Sequence, residues 1–471
     1  MHGSGVEEGV RKPLIARTQV EIRSGAWIGD LPLMLEIPES WDLRVFRLNA
    51  PAPLGREEIW NALENPISQP PVRLAARGCR RPIVVVDDLN RPTPAYEIVP
   101  LLLKQFTQAG IEARNVTVVM ASGSHGVASA NALERKIGPE AASLCRLVPH
   151  DHLRDGVYVG KTSFGTPVFA NRELLQGDFV VGVGGVFPNH TAGFGGGTKL
   201  ALGVLGTRSI RHLHYSHRPC GWGNEHASDF RSDLDEIAKM VGMRTIVSVH
   251  IDADRNVVGL QCGDPEGYFD CAVELARRIC TVPAPGNADV VIVNTYPVDL
   301  SVTFARMKGF AAFSLARPGA SKVAIASCAE GLGNHNLFPL QPSRLHRLME
   351  IAAQLGTLDP KEIAGKAKRR FAAMARSRSA PHPAGPGAVR EWPVWVWQTA
   401  ENARTIPADC LDMKIRNSWV QIIDAVQREQ GTRHLNVVLY PCSPIQCFAT
   451  QVERTSFGDV DSNPERPTLC R

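Results

Sequence analysis

The chain of 471 residues has no run of five or more like charges, no CxxC pair and no internal repeat. Nor does any stretch approach the roughly 18 apolar residues needed to cross a bilayer. Each absence excludes something. Without a basic stripe, the net charge of +5 does not point to nucleic acid. It suits an enzyme that accepts anionic small molecules. The eleven cysteines are scattered, so they read as reduced thiols rather than a disulfide framework. Met1–Arg23 is charged and lacks an apolar h-region before a small-residue cleavage site, so cytoplasm is the expected location. What is present is an ordinary globular composition, 44% hydrophobic and 21% charged, which supplies material for substantial cores. The length suggests about two domains.

The hydrophobic pattern is that of an α/β protein. Arg81–Asp88 is a β-branched run ending in acids, as a strand buried on both faces would be. Pro94–Gly110 reads as a helix, with Pro near its start and Gly after it. Asn115–Ala121 and Phe179–Val183 read as further buried strands, and Ala128–Ile137 as a helix. Gln19–Ile22 alternates like a strand, and the alternation extends over Trp27–Ile37. Pro283–Ala288 breaks the pattern like a linker. The pattern then restarts with strands at Asp289–Asn294, Lys322–Ala326, Trp395–Trp397 and Asn436–Tyr440, and a helix at Val420–Glu429. The expectation is two α/β domains with mainly parallel sheets and an active-site cleft between them. Residues 1–282 would carry the cofactor-binding and acid/base groups, and 283–450 would contribute to the substrate pocket. A surface loop is expected at Ser377–Gly387 and a disordered tail over 451–471.

In parallel sheets, ligands bind beyond the carboxyl ends of strands. Three strand ends carry polar clusters. Asp87-Asp88-Leu89-Asn90-Arg91-Pro92-Thr93-Pro94 contains an arginine able to grip a carboxylate or phosphate, or else forms a helix cap with a surface ion pair. Ser122-Gly123-Ser124-His125-Gly126 sets a histidine between glycines, suited to proton transfer or to a structural role. Pro188 to Lys199 runs through Gly195-Gly196-Gly197 to a lysine. Such a loop can cradle a phosphate, or it is a plain glycine turn. It is neither a Walker A loop, since Thr198 separates the glycines from Lys199, nor a GxGxxG fingerprint. A fourth cluster, His212, His214, His217 and Cys220, suggests a metal such as zinc, or a polar helix end.

Four of these features in register resemble the nickel-dependent lactate racemase family, from about Ile83 to the Asn436–Tyr440 strand. They are the DxxRPxP-like Asp88–Pro94, the GxH of Gly123–His125, the HxAGFxGGxK-like His190–Lys199, and His214. The resemblance implies a pyridinium mononucleotide whose two sulfur-containing arms and one ring carbon bind nickel, the nickel pincer nucleotide. It implies His214 as the protein's nickel ligand and Lys199 as the covalent attachment point. Asp88, Arg91 and Gly195–Gly197 would help hold the cofactor, with His125 and His190 as the acid/base pair. Arg91 and Lys308 would hold the substrate, with Phe304 and Arg306 beside it. The implied activity is racemisation or epimerisation of a 2-hydroxy acid, in a protein loaded by separate cofactor-making enzymes, with no nucleic-acid or membrane partner. Phe304 and Ala305 stand where the lactate enzymes are expected to carry tyrosine and glutamine. That directs the pocket away from lactate toward a larger or more apolar side chain, or toward a polar one read by Arg306. His212 and His217 have no place in the family pattern. Two other functions fit the residues: a zinc-dependent lyase or hydrolase built on the fourth cluster, and a silent binder of a mononucleotide or small acid.

Overall fold

The computed structural model describes residues 18–224, 227–265, 267–340, 392–400 and 406–449. The expected Ser377–Gly387 loop and the tail from 451 lie outside the described residues. The fold is mixed α/β with two mainly parallel sheets. The first has six strands in the order Val257–Gly263, Met243–Ile251, Phe179–Gly185, Pro82–Asp87, Thr117–Ala121, Arg146–Pro149. Only the Val257–Gly263 edge strand runs antiparallel. Its central strands are buried on both faces, as a β-branched run requires. Val84 and Val86 pack on one face with Ile98, Leu102 and Phe106 of the Ala95–Gln108 helix. Ile83 and Val85 pack on the other with Phe194, Leu200 and Ile246.

The second sheet has seven strands in the order Asp409–Cys410, Met413–Arg416, Val394–Gln398, Ser321–Ala326, Val290–Asn294, Leu435–Tyr440, Trp41–Val45. Again only one edge strand, Asp409–Cys410, is antiparallel. Trp41–Val45 comes from the front of the chain, so the division expected at 282/283 does not follow the sheets. Trp41 is in register with Leu435, and the hairpin Thr18–Ser24/Leu31–Ile37 packs Ile22, Leu35 and Ile37 against Val290, Ile292 and Trp419. These front segments are apolar on one face only and find that face's partner in the second sheet. The expected linker is also partly ordered: Thr281–Pro283 pairs in parallel with Cys447–Ala449. No helix among the described residues is long and apolar enough to cross a membrane.

Candidate active site

A cleft opens at the carboxyl ends of Pro82–Asp87, Thr117–Ala121 and Phe179–Gly185, where the loops after those strands meet the Val302–Gly309 helix and the segment 331–338 that follows Ser321–Ala326. Chain geometry explains the placement, because parallel strands deliver all their outgoing loops to one edge.

The first loop is held from below. Asp87 accepts hydrogen bonds from Thr93 Oγ1 (2.6 Å) and the Gly185 amide (3.2 Å). Fully buried Lys136 places Nζ 2.6 Å from Asp87 Oδ1 and donates to the carbonyls of Asp88 (3.3 Å) and Arg91 (3.0 Å). Asp87 is therefore part of the scaffold, and Asp88 is the acid at the site. Its Oδ2 lies 2.8 Å from His125 Nδ1 and accepts from Asn90 Nδ2 at 2.8 Å. Burial opposes the charge on Asp88, but His125, Arg91 and Asn90 outweigh it and hold the carboxyl well below the usual range. An ionised Asp88 requires the His125 proton on Nδ1, which leaves Nε2 as the basic atom. Burial, with the nearby Arg91 and Lys308, lowers the His125 pKa against the pull of Asp88, so the imidazole is neutral near pH 7.

The glycine loop is stapled by Arg231, which is buried and donates to the carbonyls of Phe194 (2.7 Å) and Gly196 (2.9 Å). Gly196 (φ +79°) leaves no room for a side chain, since a Cβ would sit 2.8 Å from the Gly185 carbonyl oxygen. Gly197 (φ +58°) is pressed against Phe269 and does not border the cleft, whereas Gly195 and Gly196 do. The loop delivers Lys199, whose amine has no hydrogen bond or ion pair among the described residues and stands 6.0 Å from the Phe230 ring. Burial first, then Arg91 and Arg231, brings its pKa down to about 7. His214, on the Thr207–Ser216 helix, borders the same cleft between the rings of Phe230 and Phe338. Burial, with Lys199 and Lys308, lowers its pKa to about 3, so it presents the neutral imidazole that a metal requires.

From the other side come Phe304, Met307 and Lys308. Phe304 is buried and meets the His125 ring edge-on at 4.7 Å. Lys308 has its pKa lowered well below the ordinary value by burial and by Arg91 and Lys199. The cleft thus brings together Asp88, Arg91, His125, Gly195, Gly196, Lys199, His214, Phe304 and Lys308. It does not bring in His190 or Arg306. His190 is exposed and borders an adjoining cavity with Trp222 and Arg306, while its neighbours Asn189 and Thr191 face the cleft. Arg306 pairs with Asp412 at 3.1 Å and so does not read a substrate in the cleft.

The four-ligand cluster does not assemble. His212 and His214 are two residues apart on a helix, about 200° around its axis. His212 Nδ1 lies 2.9 Å from Thr166 Oγ1, and His217 Nε2 is 2.8 Å from Asp233 Oδ2, away from His214. Among the described residues no group of three or more His, Cys, Asp or Glu could hold a metal.

His335, which the sequence reading passed over, borders the cleft with its ring 5.1 Å from that of His125. Burial, with His125, His214, Lys308 and Arg91, lowers its pKa to about 2. The signal was available: Gly331-Leu332-Gly333-Asn334-His335 follows a buried strand, just as Gly123–His125 does.

Two mainly parallel sheets thus feed one cleft with a carboxylate-held histidine, an amine unpaired among the described residues and a neutral imidazole, the site of an α/β protein built to hold an anionic ligand. Residues 28–220 match the lactate racemase N-terminal domain family, and the chain is similar to curated lactate racemases. It is 24% identical to the lactate racemase of Lactiplantibacillus plantarum over 322 residues, 66% of this chain and 72% of that one. It is 28% identical to the lactate racemase of Thermoanaerobacterium thermosaccharolyticum over 290 residues, covering 59% and 67%. The fold matches the lactate racemase apoprotein of the same Thermoanaerobacterium species with a TM-score of 0.68, at 20% identity, over 92% of this chain and 100% of that one. A crystal structure of a Thermotoga maritima protein matches with a TM-score of 0.55, at 15% identity, over 85% and 100%.

Proposed function

We propose that the protein is a cytoplasmic racemase or epimerase that inverts C2 of a 2-hydroxy acid, using a nickel pincer nucleotide delivered by separate cofactor-making enzymes. The observation that carries this reading is the convergence of His125, Lys199 and His214 on one cleft that also holds Arg91 and Lys308. The residues suit such a group. Arg91, Lys199 and Lys308 have no carboxylate ion-pair partner among the described residues, a charge excess that calls for an anionic ligand. An amine with a pKa of about 7 can attack an acyl carbon at neutral pH. His214, neutral and beside it, would complete the metal's ligands.

When bound, the cofactor supplies a reversible hydride acceptor, so that the 2-hydroxy acid passes through the planar 2-keto acid. The chain's own groups do the rest. His125 Nε2 takes the hydroxyl proton while Asp88 fixes the ring and stabilises its charge. Arg91 and Lys308 hold the substrate carboxylate. The second proton-transfer group is His190. It borders the adjoining cavity, which meets the cleft at Met307, so this scheme requires that wall to move as the site closes.

The test is intact mass and nickel analysis on protein co-produced with the cofactor-making enzymes, wild type against Lys199→Ala. A cofactor-sized mass gain with bound nickel, the adduct absent in the variant, is expected. Unmodified, nickel-free wild type would overturn the reading. In the active enzyme, deuterium at C2 should be largely retained on inversion.

A further inference from the structure

The segment 331–338 is tied to both walls of the cleft. The Gly331 and Leu332 carbonyls accept from the amides of Val302 and Thr303, at the start of the helix that carries Phe304 and Lys308. At its other end the Asn336 amide donates to the Ser124 carbonyl (2.8 Å), next to His125. Asn336 also reaches His152, and the proton positions there follow by elimination. Thr207 Oγ1 spends its one hydrogen on the His152 carbonyl (3.0 Å), so it accepts from His152 Nδ1 (2.8 Å). His152 Nε2 is then an acceptor, and Asn336 Nδ2 donates to it at 2.8 Å.

His335 sits in the middle of this tied segment, and its tautomer is fixed in the same way. The Phe338 amide donates to His335 Nδ1 at 3.0 Å, so the hydrogen of the neutral ring is on Nε2. Nδ1 is turned back onto its own chain, which leaves the Nε2 edge to face the cleft. No described residue accepts from Nε2. Around it stand Phe304 and Phe338, with ring centroids at 5.9 and 5.2 Å, and Met307. Arg306, the cation expected to read a polar side chain, is engaged with Asp412 outside the cleft.

We propose that His335 is a substrate-binding residue. Its Nε2–H donates to an oxygen of the carboxylate or hydroxyl of the 2-hydroxy acid, and Phe304, Met307 and Phe338 form the subsite for the substrate's side chain. The subsite therefore takes an apolar, preferably aromatic, side chain and rejects a second carboxylate, which would be desolvated among the rings while Arg91 and Lys308 are engaged by the first. A fixed neutral donor suits a substrate oxygen whose charge changes during turnover, because it never competes for the proton that His125 moves. This inference rests on the 2-hydroxy acid reading above.

The test is calorimetric titration of cofactor-loaded protein with 3-phenyllactate, lactate and malate, for wild type, His335→Asn, His335→Gln and Phe338→Ala, each checked for nickel content and thermal midpoint. Wild type should bind phenyllactate at least tenfold more tightly than malate. His335→Asn keeps an acceptor near Nδ1 but withdraws the donor, and should weaken phenyllactate and lactate alike by roughly tenfold. His335→Gln carries an amide N–H close to the Nε2 position and should restore most of the loss. Phe338→Ala should weaken phenyllactate by roughly tenfold and leave lactate unchanged. The pH profile of turnover should keep its shape in His335→Gln. Malate bound most tightly would overturn the subsite. Unchanged binding in His335→Asn would overturn the role of His335 while leaving the 2-hydroxy acid reading intact. Loaded wild type that binds none of the three acids would overturn that reading, and the subsite with it.

Discussion

On one wall of the cleft, charges are held by buried polar partners. Lys136 grips Asp87, Asp88 holds His125, and Arg231 staples the glycine loop through two carbonyls. On the opposite wall, beside Lys308, rings pack against rings, and the His335 edge is that of a neutral imidazole held by backbone and amide hydrogen bonds. The first construction keeps proton-transfer and anion-binding groups at set positions against their own desolvation. The second shapes a volume. A site needs both, and each has a different weakness: removing one member of a buried charge pair strands the other, while trimming a ring only changes what fits.

The largest expected effect tests that difference on two lysines. Lys136→Met leaves Asp87 buried with no cation, and should cost about 3–5 kcal/mol in urea unfolding. Lys199→Met removes an amine that has no partner to strand among the described residues, and should leave stability unchanged or raised. Equal costs would remove the distinction. A smaller contrast compares the two fasteners. Arg231→Met deprives two carbonyls of the glycine loop of their donor, at about 2 kcal/mol. Asn336→Ala, on the ring-built wall, loses the bond to His152 and should cost about 1 kcal/mol.

Much of the polar wall was legible because it sits on strand ends. The β-branched runs Pro82–Asp87 and Thr117–Ala121 announce buried strands, and the residues just beyond them are Asp88 and His125. Lys136 had a readable cue as well: it shares the buried helix face of Leu133 and Ile137. The sheet that carries the ring-built wall was harder to read in full. Trp41–Val45 is too short to declare its sheet, and its partner lies at the other end of the chain. His190 illustrates a different limit. Motif spacing says which residues gather, whereas facing depends on the local backbone. Asn189 and Thr191 border the cleft, while His190 lies in the turn between Pro188–Asn189 and Gly193–Phe194 and borders the adjoining cavity.

The smallest expected effect concerns Lys199 alone and needs neither substrate nor cofactor. With a folded-state pKa of about 7, its amine is half deprotonated at neutral pH, whereas an exposed lysine has a pKa of about 10.4. Labelling by an acylating reagent, followed by mass spectrometry of peptides, should show a midpoint near pH 7 for Lys199 and near pH 10 for surface lysines. The same shift has a stability sign. The folded pKa lies below the unfolded one, so between about pH 10.4 and pH 7 the unfolded chain takes up a proton that the folded protein refuses. Stability should therefore fall as pH drops through that window, and Lys199→Met should flatten that part of the slope. A labelling midpoint near pH 10 would mean that the amine is solvated like any surface lysine. The contrast between the partnered Lys136 and the unpartnered Lys199 would then have no electrostatic basis.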